Sequence, residues 1–221
     1  MYKLAIFDFD GTLVDSTPGI VSCMGELIEE LGYPKGLLEQ WSQLVGVPLL
    51  KQMEILFPEK SAQFHEDIAN LYRKKYDGRV IDICPPFPGL EDMLAELSSK
   101  NVMVSIATSK RRHLVEEVLV HLGLTKYFNM IVGAQDVSNH KPHPESVHVT
   151  VSSLQVNPKD AVVIGDSSFD LDMARNAGVD AIGVTTGVHT AEILRKSEPK
   201  HVVSGLREVT PIILNGRPVS V

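Results

Sequence analysis

Short apolar runs recur along this chain, and each stops at a polar or small residue. Leu4-Ala5-Ile6-Phe7 leads into Asp8 and then Gly11-Thr12. Val102-Met103-Val104-Ser105-Ile106-Ala107 leads into Thr108-Ser109, and Ala161-Val162-Val163-Ile164 into Gly165-Asp166. Ala181-Ile182-Gly183-Val184 leads into Thr185-Thr186, and Met130-Ile131-Val132-Gly133 is a shorter run of the same kind. Continuous apolar runs of this length, without alternation, predict strands buried on both faces. Helical stripes lie between them: Leu90, Met93, Leu94 and Leu97; Leu114, Val115, Val118, Leu119 and Leu122; Leu171, Ala174 and Ala177. Glu91 and Asp92 suit the first turn of one helix, and Gly123 and Gly178 suit the stops of the other two. Strands alternating with helices predict a doubly wound α/β core, a parallel sheet covered on both faces.

Residues 15–82 break this rhythm. Ile20, Met24, Leu27, Ile28 and Leu31 have helical spacing, as do Ile68, Leu71, Tyr72 and Tyr76, and no buried strand stands out. Pro85-Pro86-Phe87-Pro88-Gly89 then makes a stiff connection before the alternation resumes. The expected organisation is therefore a core of residues 1–14 and 83–221, with an all-helical insertion at 15–82. Gly46-Val47-Pro48-Leu49 is expected to be a loop between helices of the insertion. The tail from Asn215 to Val221 is polar or irregular and nothing is assigned to it.

Composition narrows the function. A length of 221 residues suits one large domain or two small ones. A net charge of −7, with no outstanding basic patch, argues against nucleic acid as the main partner. The two cysteines, Cys23 and Cys84, are far apart and form no Cys-x-x-Cys pair, which fits a reducing cytosol and offers no zinc knuckle or redox dithiol. No secretory signal pattern opens the sequence, and no apolar run nears the ~20 residues of a spanning helix. The expectation is a cytoplasmic protein that does not engage a membrane. No Walker loop and no Gly-x-Gly-x-x-Gly is present.

In parallel α/β sheets, ligands bind beyond the carboxyl ends of the strands. The residues expected there are Asp8 and Asp10, Thr108 and Ser109, Asp166 and Asp170, with Lys141 in the segment Lys141-Pro142-His143-Pro144-Glu145. Carboxylates so close repel one another unless a cation intervenes. An all-oxygen set suits magnesium, which keeps waters that a phosphate can displace. Lys141, two hydroxyls and free backbone N–H groups complete an electrostatic clamp for phosphoryl transfer. Taken singly these residues are bland: Asp10-Gly11 is a turn signal, Asp170 a helix N-terminal residue, Lys141 a surface lysine. Their joint placement is what points to chemistry. Asp172 reads as a solvated helix residue, and His143 as a turn residue. His140 and His189 are candidates for the mouth of the site.

The segment Asp8-Phe9-Asp10-Gly11-Thr12-Leu13-Val14-Asp15 resembles the first motif of the haloacid dehalogenase-like (HAD) superfamily. Thr108-Ser109 resembles the second, Lys141-Pro142 with Pro144-Glu145 the third, and Gly165-Asp166-Ser167 with Asp170 the fourth. The resemblance spans essentially the whole chain, is greatest to the phosphoglycolate phosphatase-like group, and implies a Rossmann-like core with a helical cap. It implies a magnesium-dependent phosphatase acting on a small phosphorylated metabolite. In that scheme Asp8 is the nucleophile and forms an aspartyl phosphate. Asp10 is the general acid and base, and its carbonyl ligates the metal. Thr108, with Ser109 and Gly11, binds the phosphoryl group, and Lys141 neutralises charge between it and Asp8. Asp166 ligates magnesium, and Asp170 binds metal waters or orients Lys141.

The cap should set specificity, with Lys51 and Arg73-Lys74-Lys75 as basic candidates for a substrate carboxylate or second phosphate. A pyrophosphatase and a beta-phosphoglucomutase-like phosphomutase share these motifs and remain alternatives. Asp10 argues against a dehalogenase and a phosphonoacetaldehyde hydrolase. A non-catalytic binding scaffold predicts a missing nucleophile, acid, lysine or metal ligand, and none is missing. The motifs leave oligomeric state open.

Overall fold

A computed structural model describes residues 1–216. In chain order it contains β1 (Leu4–Phe7), α1 (Thr17–Glu30), α2 (Gly36–Ser42), α3 (Leu49–Leu56) and α4 (Ala62–Asp77). Next come α5 (Leu90–Ser99), β2 (Met103–Ala107), α6 (Arg112–His121), β3 (Met130–Val132) and α7 (Glu145–Ser153). The chain closes with β4 (Ala161–Gly165), α8 (Ser168–Asn176), β5 (Asp180–Val184), α9 (Ala191–Arg195), β6 (His201–Val203) and α10 (Leu206–Asn215).

The six strands form one parallel sheet in the order β3-β2-β1-β4-β5-β6. The chain winds outward from β1 to β3, then returns to the other side of β1 and winds outward again. The reversal lies between β1 and β4, where an open α/β sheet leaves a crevice for ligands. Register brings the strand ends level: Phe7 pairs with Ile106 on one side and Ile164 on the other. Asp8 then donates its N–H to the Ile164 carbonyl at 2.8 Å. The residues that follow β1, β2 and β4 therefore meet at one edge.

The all-apolar character of β1 has a direct cause. Successive side chains point to opposite faces. Leu4 and Ile6 pack into a cluster with Val147, Leu171 and Ala174, from α7 and α8. Ala5 and Phe7 pack into the other cluster with Leu94, Leu97, Leu119 and Val209, from α5, α6 and α10. Both faces are covered, so no position on β1 tolerates a polar residue. Phe7 is fully buried, and Phe7→Ala should cost about 3–5 kcal/mol of stability. Urea denaturation measures this; a loss under about 1 kcal/mol would contradict the packing described.

Helices α1–α4 follow one another between β1 and α5, with no strand among them. Helix α1 buries Ile20, Cys23, Met24 and Leu27, and α4 buries Ile68, Ala69, Tyr72 and Tyr76. These belong to the same apolar cluster as Phe7. The two connections run side by side: Asp15 N–H donates to the Pro85 carbonyl at 2.8 Å and Phe87 N–H to the Leu13 carbonyl at 3.0 Å. The four helices thus enter and leave the core through one paired neck.

Some elements differ from the reading of the sequence. Strand β6 was not foreseen, because it is three half-buried residues at the sheet edge with one neighbour and no apolar run. Leu49 opens α3 instead of closing the loop before it. Asn215 ends α10, while residues 217–221 of the tail lie outside the described residues. Among the described residues, no helix is long and apolar enough to cross a membrane.

Candidate active site

Asp8 follows β1 directly and is almost wholly buried. After it the chain turns tightly, with the Leu13 and Val14 N–H groups both donating to the Phe9 carbonyl. Gly11 sits in that turn at φ +75°, and a Cβ there would lie 2.7 Å from Asp166 Oδ2. Glycine is required twice over: for the left-handed backbone and for the close approach of Asp166. From the other side, a Cβ on Gly187 would lie 1.8 Å from the same oxygen. Two glycines therefore leave the space that Asp166 occupies.

Asp166 directly follows β4 and is anchored through both oxygens. Thr12 Oγ1 donates to Oδ1 at 3.0 Å and Val188 N–H to Oδ2 at 2.9 Å. Asp170 lies one turn into α8, and its Oδ2 accepts from Ser167 N–H at 3.1 Å and Ser167 Oγ at 2.6 Å. It is thus both the capping residue its position suggests and a member of the carboxylate group. Lys141 joins the set from the loop before α7. Its Nζ donates to Asp8 Oδ1 at 2.6 Å and Asp170 Oδ1 at 2.5 Å. Glu145 ties that loop down by accepting from the N–H groups of Ser138 and Asn139 and from the Asn139 amide.

Asp8, Asp166 and Asp170 each offer an oxygen within 4.8 Å of the others. Three buried carboxylates face one ammonium. Burial pushes the Asp8 carboxyl well above its ordinary range; Lys141 opposes this, while Asp170 and Asp166 add to it. Burial, reinforced by Asp170, pushes Asp166 up to about 7, against the hydrogen bonds from Val188 and Thr12. For Lys141 burial disfavours the charge, but Asp170 and Asp8 outweigh it and hold its pKa above the usual value. The cluster is short of positive charge and its donors are all oxygen, so these residues fit a hard divalent cation.

The folded-state pKa of Asp166 is raised to about 7 from 3.8. In metal-free protein its contribution is complete below about pH 4 and lost as the pH rises through 7. A dication that binds the ionised carboxylates works in the opposite sense. Saturating magnesium should therefore raise Tm more at pH 8 than at pH 5.5. Equal shifts at both pH values in scanning calorimetry would place the metal elsewhere.

The Asp10 carboxylate does not join this cluster. Its Oδ1 accepts from Ser16 Oγ at 2.6 Å and Lys110 Nζ at 2.7 Å. Thr108 is buried, its N–H donates to the Val132 carbonyl, and its Oγ1 accepts from Lys110 N–H at 3.2 Å. Ser109 Oγ is buried with no hydrogen-bond partner. The reading of the sequence overlooked Lys110, although its place just beyond Thr108 and Ser109 at a strand end was the available signal. Its ammonium lies 4.5 Å from the centre of the Tyr76 ring, donates to the Tyr76 hydroxyl and pairs with Asp10. A residue of α4 is thereby linked to Asp10.

Among the histidines, His140 lines the cavity above the site. His189 Nδ1 accepts from Ser168 N–H at 2.9 Å, and burial lowers its pKa. His143 is exposed beside Glu145, and Asp172 pairs with Arg175 on the surface of α8.

Above the cluster lies a cavity of about 600 Å³ between the sheet edge and the helical insertion. Asp8, Asp10, Thr108 and Ser109 line its floor. The loop before α3 reaches down to it, since a Cβ on Gly46 would stand 3.7 Å from Ser167 Oγ. Lys51 and Arg73 line the wall, whereas Lys75 pairs with Glu30 and Lys74 is exposed elsewhere.

A profile of haloacid dehalogenase-like hydrolases matches residues 5–184. "Probable phosphatase IndB" of Dickeya dadantii (strain 3937) is 34% identical over 212 residues, which is 95% of this chain and 92% of that protein. Phosphoglycolate phosphatase of Yersinia pestis is 29% identical over 211 residues, covering 94% and 91%. A solved structure of a haloacid dehalogenase-like hydrolase from Streptococcus pneumoniae superposes with a TM-score of 0.80 at 28% identity, covering 94% of this chain and 96% of that one.

Proposed function

The chain belongs to the haloacid dehalogenase-like hydrolases, and from that premise we propose that it is a magnesium-dependent phosphatase working through a phosphorylated Asp8. The observation that carries this reading is Lys141 joining Asp8, which lines the floor of the cavity, to Asp170.

Asp8 is held by Lys141 through Oδ1 only, which leaves Oδ2 to attack phosphorus. As that bond forms, the ester P–O bond breaks, and Asp10 gives the departing oxygen a proton. Both hydrogen bonds to Asp10 described above fall on Oδ1, so Oδ2 is the atom left to face the departing oxygen. Asp10 next takes a proton from water, which attacks the phosphoryl group on Asp8 and frees both phosphate and enzyme. Thr108, the unpartnered Ser109 hydroxyl, and backbone N–H groups near Gly11 receive the phosphate oxygens. Lys141 keeps the ionised nucleophile tolerable in a buried place. Asp8, Asp166, Asp170 and the Asp10 carbonyl would hold magnesium, which would supply the positive charge that lets carboxylates and a phosphate share the site.

The test is phosphate release from a panel of phosphomonoesters and pyrophosphate, in magnesium and in chelator. Magnesium-dependent release from monoesters is the expected result. A clear preference for pyrophosphate would make the protein a pyrophosphatase. Interconversion of sugar phosphates without phosphate release would make it a mutase.

A further inference from the structure

The cavity is larger and less polar than a two-carbon acid needs. At about 600 Å³ it falls in the range that encloses ligands of many atoms, roughly 300–1,000 Å³. Beyond the phosphate floor its surface is largely apolar. Ile20 and Met24 come from α1, Val47 from the loop before α3, Leu49 and Leu50 from α3, and Leu114 from α6.

The charges on the wall are already answered by this chain. Among the described residues that line the cavity, every lysine and arginine has an acid beside it. Lys110 faces Asp10 at 2.7 Å, Arg73 faces Glu66 at 3.3 Å, Lys51 faces Glu54 at 2.8 Å, and Arg111 pairs with Asp77. Glu54 and Asp77 themselves line the cavity. An exposed pair such as Lys51–Glu54 is weak. Breaking it to hold a substrate carboxylate would still leave Glu54 on the same wall. A second anionic group on the substrate therefore finds no unanswered cation and meets two carboxylates. The Gln52 side chain is also occupied, accepting from Trp41 Nε1 and donating to the Val47 carbonyl.

Resting on the phosphatase reading above, we propose that the site takes phosphomonoesters of uncharged alcohols with a ring-sized apolar body, in preference to short phosphorylated acids or pyrophosphate. The phosphate binds the charged floor and the ring lies against the wall formed by α1, α3 and α6. Burying a ring against that wall removes apolar surface that a glycolate lacks. Specificity then comes from apolar contact and from the acids that repel a second anion.

The experiment compares kcat/KM, in magnesium, for 2-phenylethyl phosphate, 2-phosphoglycolate and pyrophosphate. The first two both release an alkyl alcohol, so intrinsic reactivity is closely matched. The expected result is at least about tenfold higher kcat/KM for 2-phenylethyl phosphate. Equal or better use of phosphoglycolate or pyrophosphate would overturn this inference and leave the phosphatase reading intact. No release from any of the three would overturn both. Leu50→Asp should narrow the ratio of 2-phenylethyl phosphate to phosphoglycolate. A ratio unchanged in a folded Leu50→Asp protein would overturn the role of the apolar wall, and if that variant does not fold the wild-type ratio still decides.

Discussion

Asp8→Asn should lower phosphate release by about a thousandfold or more while leaving the metal-free protein at least as resistant to heat as the wild type at pH 8. The two halves of this expectation share one cause. Asparagine keeps the shape of the side chain but cannot supply the anionic oxygen that attacks phosphorus, and removing a nucleophile typically costs at least this much in rate. The same substitution removes one of three carboxylates crowded around a single ammonium. Burial and the neighbours Asp170 and Asp166 all disfavour the ionised Asp8. Lys141 keeps its bond to Asp170 in the variant. Loss of function with stability retained or gained is the pattern expected where a site holds charges the fold itself does not need. Phosphate release over time, with a mass measurement to exclude deamidation back to aspartate, tests the first half. Scanning calorimetry in chelator tests the second. Full activity in a verified Asp8→Asn protein would remove Asp8 as nucleophile. A large drop in metal-free Tm would mean that Asp8 supports the fold through its pair with Lys141.

Gly187→Ala should weaken magnesium binding at least tenfold, through a residue that is not itself a ligand. The added methyl would stand 1.8 Å from Asp166 Oδ2 and 2.3 Å from its Cγ, far inside contact distance. Asp166 cannot simply rotate away, because Thr12 and Val188 hold its two oxygens and Val188 adjoins Gly187. Either the 186–188 backbone retreats and takes the Val188 N–H with it, or Asp166 leaves its place in the cluster. Disturbing the surroundings of a metal ligand commonly costs about 10–100-fold in affinity. The magnesium concentration that gives half-maximal activity is the readout. Gly36→Ala serves as the control, since nothing lies within 4 Å of a Cβ there and its effect should be near neutral. Normal magnesium dependence in Gly187→Ala would show that Asp166 is not a metal ligand.

The parts of this protein that were legible in sequence share a physical origin. Strands β1, β2, β4 and β5 could be read as largely apolar runs because a parallel sheet with helices on both faces buries nearly every side chain. The end of each run then marked the carboxyl edge, which is why Asp8, Thr108, Ser109 and Asp166 could be placed there from the sequence. The helices α1 and α4 could be read because helical spacing replaced those runs between β1 and α5. Strand β6 escaped because an edge strand of three half-buried residues leaves no such trace.

What tertiary structure alone decided were the partnerships. Lys141 reaches Asp8 across 133 positions of sequence, and Lys110 reaches Asp10 across 100. The order of six strands and the register of β1 with its neighbours set both distances, and neither is a local property. The same holds for the basic residues of the cap. Lys51 and Arg73 resemble anion-binding groups in the sequence, and only the folded chain reveals the acids beside them. Periodicity and strand ends determined where chemistry is placed, because burial is recorded residue by residue. Which charges remain available to a substrate was decided by the fold, because electrostatic partners are set by distance in space and not by distance along the chain.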